Sequence, residues 1–124
     1  MAYHVYEQDP FVRTDLFETL QSAHDTTVHT LPTLEKALDV AKRHGDDAIF
    51  VLSIDDVEKH DRLDALLSQL GTGKVVIIAN SKPPAVSKYR SAVFVQRPFS
   101  SQMMLQSLSE LISAPQSDRQ ETQR

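Results

Sequence analysis

Val93-Phe94-Val95-Gln96-Arg97-Pro98-Phe99 leads through Ser100 into a stretch whose apolar residues fall at Met104, Leu105, Leu108, Leu111 and Ile112. The first three residues are apolar and β-prone, and Pro98 ends any ladder because it has no N–H to donate. The later spacing of i, i+1, i+4, i+7 and i+8 marks one face of an α-helix. The stretch reads as a strand, a rigid turn and an amphipathic helix. One such unit predicts others upstream.

Working back, Lys74-Val75-Val76-Ile77-Ile78-Ala79 and Ala48-Ile49-Phe50-Val51-Leu52 are continuous apolar runs. That is the pattern of strands covered by helices on both faces of a parallel sheet. Between them, Asp55-Asp56 opens a helix carrying Leu63, Leu66, Leu67 and Leu70, which Gly71-Thr72-Gly73 closes. After the second run, Pro83-Pro84 blocks an immediate helix and leaves residues 85–90 at most a short one. Nearer the N-terminus, Tyr3-His4-Val5-Tyr6 is a short strand, and Asp9-Pro10 pairs a capping side chain with a proline suited to a first helical turn. Val12, Leu16 and Leu20 form that helix's apolar stripe, with Phe17 beside them. Residues 26–31 make a second strand, and Pro32-Thr33 opens a helix that ends at His44-Gly45. Five strands alternating with five helices imply right-handed crossovers and a doubly wound parallel sheet. In such sheets the ligand crevice lies at the carboxyl ends of the strands, so the loops after strands one, three, four and five hold the candidate site.

The chain has 124 residues, 40% of them hydrophobic, enough for one domain with its own core. It contains no cysteine, which excludes disulfides, thiolate metal sites and cysteine nucleophiles. Its net charge of −4 argues against a nucleic-acid footprint, which needs clustered basic residues. No apolar run approaches the ~20 residues of a membrane helix, and no secretory leader pattern precedes the first strand, so a cytoplasmic protein without membrane contact is expected. The organisation expected is one domain over residues 1–114 and a polar, disordered tail or linker over 115–124.

With Glu7-Gln8-Asp9-Pro10 after the first strand and Arg97-Pro98-Phe99 after the last, the chain resembles the receiver domains of bacterial response regulators from Tyr3 to about Ile112. The resemblance implies a flavodoxin-like (CheY-like) sheet in the order 2-1-3-4-5. It also implies a phosphorylation site made of two acidic residues after strand one, an aspartate ending strand three, a hydroxyl after strand four, and a lysine followed by a usually cis proline after strand five. Several of these positions are altered. Glu7 matches the first acid, but Gln8 replaces the carboxylate that would ligate magnesium, and an amide brings no charge to a hard dication. The acceptor position falls at Leu52, Ser53 or Ile54, with Ser53 the polar candidate, and a serine there forms no acyl phosphate. Ala79 stands where the hydroxyl belongs and Phe94 at the switch-aromatic position. Arg97 replaces the lysine, a planar fork in place of a compact ammonium.

Three readings of Arg97 stand open: anion binding, an inward pairing with Glu7, or an exposed side chain at a strand end. Asp55 and Asp56 are more often a helix cap than a displaced acceptor. His24 and His29 lie five apart about strand two and face opposite sides, and with His4, His44 and His60 they read as surface histidines. Lys82, Lys88, Tyr89 and Arg90 make a small basic-aromatic patch near the fourth helix, more often solvated than a contact. Met103 and Met104 offer an adaptable surface, with Met104 on the core stripe.

The pattern is that of a pseudo-receiver: a non-enzymatic module for regulatory protein contacts in signal transduction or transcription control, without catalytic residues, metal or cofactor. Its vestigial pocket would comprise Glu7, Gln8, Ser53, Ala79 and Arg97, and its interaction face Lys88, Tyr89, Arg90 and Gln96. A protein partner or fused output domain is expected, and by resemblance a homodimer through helix four, strand five and helix five. Two alternatives stand beside this reading. One is an atypical phosphoacceptor using Asp55 or Asp9, and the other a small-anion or small-ligand sensor in the crevice around Gln8, Ser53, Asn80 and Arg97.

Overall fold

The computed structural model describes residues 2–23, 26–44, 48–54, 58–70, 73–89 and 92–122. Strands β1 (Ala2–Tyr6), β2 (Thr27–Thr30), β3 (Ala48–Ser53), β4 (Lys74–Ala79) and β5 (Ala92–Gln96) form one parallel sheet in the order β2-β1-β3-β4-β5. This is the expected doubly wound topology. The registers place Tyr6 beside Leu52, Ser53 beside Ile78 and Ala79 beside Gln96, so the carboxyl ends of the central strands finish nearly level.

The helices differ from expectation in number. Four α-helices occur among the described residues: α1 (Pro10–Ala23), α2 (Lys36–His44), α3 (Glu58–Leu70) and α4 (Ser101–Thr122). The expected fourth helix is a five-residue 3₁₀ turn, Pro84–Lys88. Pro83 is held extended and Pro84 has no N–H, and the turn is entered and left through short i→i+3 bonds from Val86 N to Pro83 O and from Tyr89 N to Val86 O. Helix α2 starts later than Pro32-Thr33 suggests, because tight turns through Leu34 and Glu35 come first. The backbone of α4 stays helical to Thr122, through the stretch in which composition places a polar tail.

Asp9 caps α1, its Oδ1 accepting the amides of Phe11 at 2.9 Å and Val12 at 3.4 Å. Ser100 caps α4 through the amide of Met103 at 3.1 Å. The sheet then divides the interior in two. Even-numbered Phe50 and Leu52 of β3, with Ile54 just beyond its end, pack with Ala37, Leu63, Leu66, Leu67, Val75 and Ile77 beneath α2 and α3. Odd-numbered Ile49 and Val51 pack with Tyr3, Val5, Val76, Ile78 and Val95 beneath Leu16 and Leu20 of α1 and Met104, Leu108 and Leu111 of α4. Each such fully buried aliphatic side chain contributes about 1.5–3 kcal/mol.

Candidate functional site

The same alternation determines which side chains end at the crevice. Glu7 continues the phase of Tyr3 and Val5, Ser53 that of Ile49 and Val51, Asn80 that of Val76 and Ile78, and Arg97 that of Val93 and Val95. Four strand ends thus deliver one acid, one hydroxyl, one amide and one guanidinium to the α1 and α4 side of the sheet.

Arg97 is fixed from both ends. Its backbone amide donates to Ala79 O at 3.0 Å, extending the β4–β5 ladder by one residue, and the peptide bond to Pro98 is cis. Its side chain turns inward, Nη1 donating to Ile54 O at 3.0 Å and Nη2 to the Ser53 hydroxyl. The arginine is therefore inward-facing, but its partner is not Glu7. Glu7, itself buried, uses Oε2 to accept the backbone amide of Asp9 at 3.1 Å, while its carbonyl accepts Arg13 Nη1 at 3.3 Å. The acid is held by its own loop, which removes it from Arg97.

Ser53 is buried as the last residue of β3, and the next amide, Ile54 N, donates to Ile78 O at 2.7 Å. Leu52 and Ile54 point into the α2/α3-side core, so of the three residues considered at this strand end only Ser53 faces the crevice. Ala79 departs from expectation in the same way. Its side chain lies in the α2/α3-side cluster, and it reaches the crevice only through its carbonyl, while Asn80 supplies the side chain there. Gln8 is exposed at the β1 end.

A cleft of about 640 Å³ opens beside this row between α1 and the loop after β5, lined by Val12, Asp15, Glu18, Thr19, Asn80, Arg97, Pro98, Phe99 and Ser101. Thr19 Oγ1 and Ser101 Oγ are 3.1 Å apart at its edge. Two carboxylates on the α1 wall make the cleft unfavourable for a small anion despite Arg97. Among the described residues no group of three or more His, Cys, Asp or Glu is placed to hold a metal ion.

The remaining expected residues are scattered. Phe94 and Tyr89 are half-buried against the α2/α3-side cluster, Lys82 and Lys88 are exposed, and Gln96 Nε2 donates to Asn80 O at 3.1 Å. Tyr89 is thus partly core rather than a free contact residue. Asp55, Asp56, Arg90 and His24, with the side chains of His44 and His60, lie outside the described residues. His4 and His29 are not scattered surface histidines: they are register partners on β1 and β2, and His4 is only 7% exposed. Sequence reading missed the pair because the 24 residues between them carry no local sign of which strand positions meet.

No family model and no curated protein matches the chain. Solved structures do. A transiently phosphorylated switch in bacterial signal transduction aligns with 20% identity over 90% of this chain and 94% of its own, with a TM-score of 0.70. The CheY-like protein TadZ of Pseudomonas aeruginosa aligns with 18% identity over 90% and 98%, with a TM-score of 0.66. A response regulator receiver protein from Pseudoalteromonas atlantica aligns with 16% identity over 91% and 98%, with a TM-score of 0.65. The structural neighbours are CheY-like receiver domains, and the fold is theirs.

Proposed function

We propose that this chain is a pseudo-receiver, a non-enzymatic module that regulates a partner protein or fused output domain without accepting phosphate. The observation that carries this reading is the seating of Arg97 on the Ser53 hydroxyl and the Ile54 carbonyl. The resemblance puts a carboxylate, a phosphoryl group and a lysine in that space. Here a serine ends the strand, and the chain's own cation fills the volume. Glu7 remains as an acid, but Gln8 beside it adds no charge for a magnesium ion.

Asp9 as an alternative acceptor is less favourable, since its side chain is already committed to capping α1. A small-anion sensor is disfavoured by Asp15 and Glu18 in the cleft wall. Output by protein contact, with a homodimer through the 3₁₀ turn, β5 and α4 as one form of it, fits a domain in which Arg97 already occupies the space beside Ser53. The test is incubation with acetyl phosphate and magnesium followed by intact mass. An unchanged mass is expected, and a stoichiometric gain of one phosphoryl group overturns the proposal.

A further inference from the structure

We infer that His4 and His29 form a two-histidine site for a divalent transition-metal ion at the β2 edge of the sheet. The two residues are direct partners in the β1–β2 register, with ring centroids 5.0 Å apart and planes 17° from parallel. His4 is backed on its other side by Phe50, centroid to centroid 5.7 Å, which keeps it in place from the core. His29 lies on the edge strand, exposed, so an ion reaches the pair from solvent without opening the fold.

Register partnership places the two side chains within reach of one ion. A metal–imidazole nitrogen bond of about 2.0–2.1 Å puts each ring centre roughly 3.2 Å from the ion, so two rings sharing a tetrahedral ion stand about 5 Å apart. The stacked, nearly parallel rings do not themselves aim nitrogens at one point, so ligation opens the stack: His4 stays seated on Phe50 and the exposed His29 ring turns about χ1 and χ2, the latter a broad torsion for histidine. A pair of neutral imidazoles selects zinc, copper or nickel over magnesium or calcium, with copper(II) bound most tightly. With no third protein ligand among the described residues, water completes the coordination and the ion exchanges freely. The pair lies on the α2/α3 side of the sheet, the side opposite Arg97, so this site stands or falls independently of the pseudo-receiver reading.

The experiment titrates the full chain with copper(II) or zinc(II) in chelator-free buffer, using calorimetry and the imidazole resonances of all five histidines. One ion per chain is expected, with copper broadening His4 and His29 first and zinc raising the melting temperature. His29→Phe keeps a ring against His4 but removes a ligand, and weakens binding roughly tenfold or more. The triple variant His24→Ala, His44→Ala, His60→Ala binds as the parent does. Unchanged binding in His29→Phe, first broadening at other histidines, or no saturable binding of either metal overturns the assignment.

Discussion

The guanidinium of Arg97 donates to the hydroxyl of Ser53, joining the loop after β5 to the last residue of β3 across the intervening strand. A second bond to Ile54 O makes the contact two-pronged. Among the described residues Arg97 forms no ion pair, so its hold on β3 is hydrogen bonding by a charged donor to neutral acceptors, a kind of bond worth about 1.5–3 kcal/mol.

Arg97→Ala is therefore expected to lower unfolding stability by about 1–3 kcal/mol, read from urea midpoints at unchanged slope. Arg97→Lys should fall between the two, because one ammonium replaces a fork that reaches both acceptors. A double-mutant cycle with Ser53→Ala should return a coupling of about 0.5–3 kcal/mol. Strict additivity would mean that the contact is absent in solution.

Rebuilding the chemistry should need several residues at once. Ser53→Asp alone is expected to stay unmodified with acetyl phosphate and magnesium, since Arg97 still fills the space and Gln8 still lacks charge. The triple variant Gln8→Asp, Ser53→Asp, Arg97→Lys should gain one phosphoryl group by intact mass. Modification of the single variant would show that Arg97 is no barrier.

The two neighbouring methionines of α4 should separate cleanly. Met104 is fully buried against the α1 side of the sheet, whereas Met103 is 42% exposed. Met104→Ala should cost about 2–5 kcal/mol and Met103→Ala no more than about 0.5 kcal/mol in chemical denaturation. Equal costs would mean that α4 is rotated relative to the sheet.

Asp9→Ala removes the acceptor for two orphan amides of α1 and should cost about 0.5–2 kcal/mol. Asp9→Ser should recover most of it. If alanine and serine behave alike, the cap contributes nothing and the loop is held by Glu7 alone.

Tyr3 is fully buried, and desolvation raises its phenol pKa above the ordinary 10.0. The unfolded chain then loses this proton at lower pH than the folded one. The contribution is intact below pH 10 and is lost as pH rises through the folded-state value. Thermal melts between neutral and strongly alkaline pH should show a decline that Tyr3→Phe reduces. An identical alkaline slope in the variant would refute the assignment.

Much of the fold was readable because its signals are local. Two uninterrupted apolar runs mark buried strands, Asp9-Pro10 and Ser100 mark helix starts, and Pro83-Pro84 warned of the short fourth element. The site was less legible, for two reasons. Charge alone pairs Arg97 with Glu7, yet the acid is bound by the amide of Asp9, a loop geometry that no spacing announces. Counting along β4 puts Ala79 in the pocket, but the phase of the strand turns its side chain into the other core and brings Asn80 forward. Register, which sequence does not display, decided both that exchange and the meeting of His4 with His29.

The alternation of side chains through the sheet also works as a mechanical partition. Tyr3, Met104 and Leu108 on one face and Leu63, Leu67 and Phe50 on the other touch through backbone rather than through each other. Packing defects on opposite faces should then add rather than compound. The row of Glu7, Ser53, Asn80 and Arg97 belongs to the α1 and α4 compartment. Whatever binds those two helices has a short route to the crevice, while a partner seated on α2 and α3 must signal through the strands themselves.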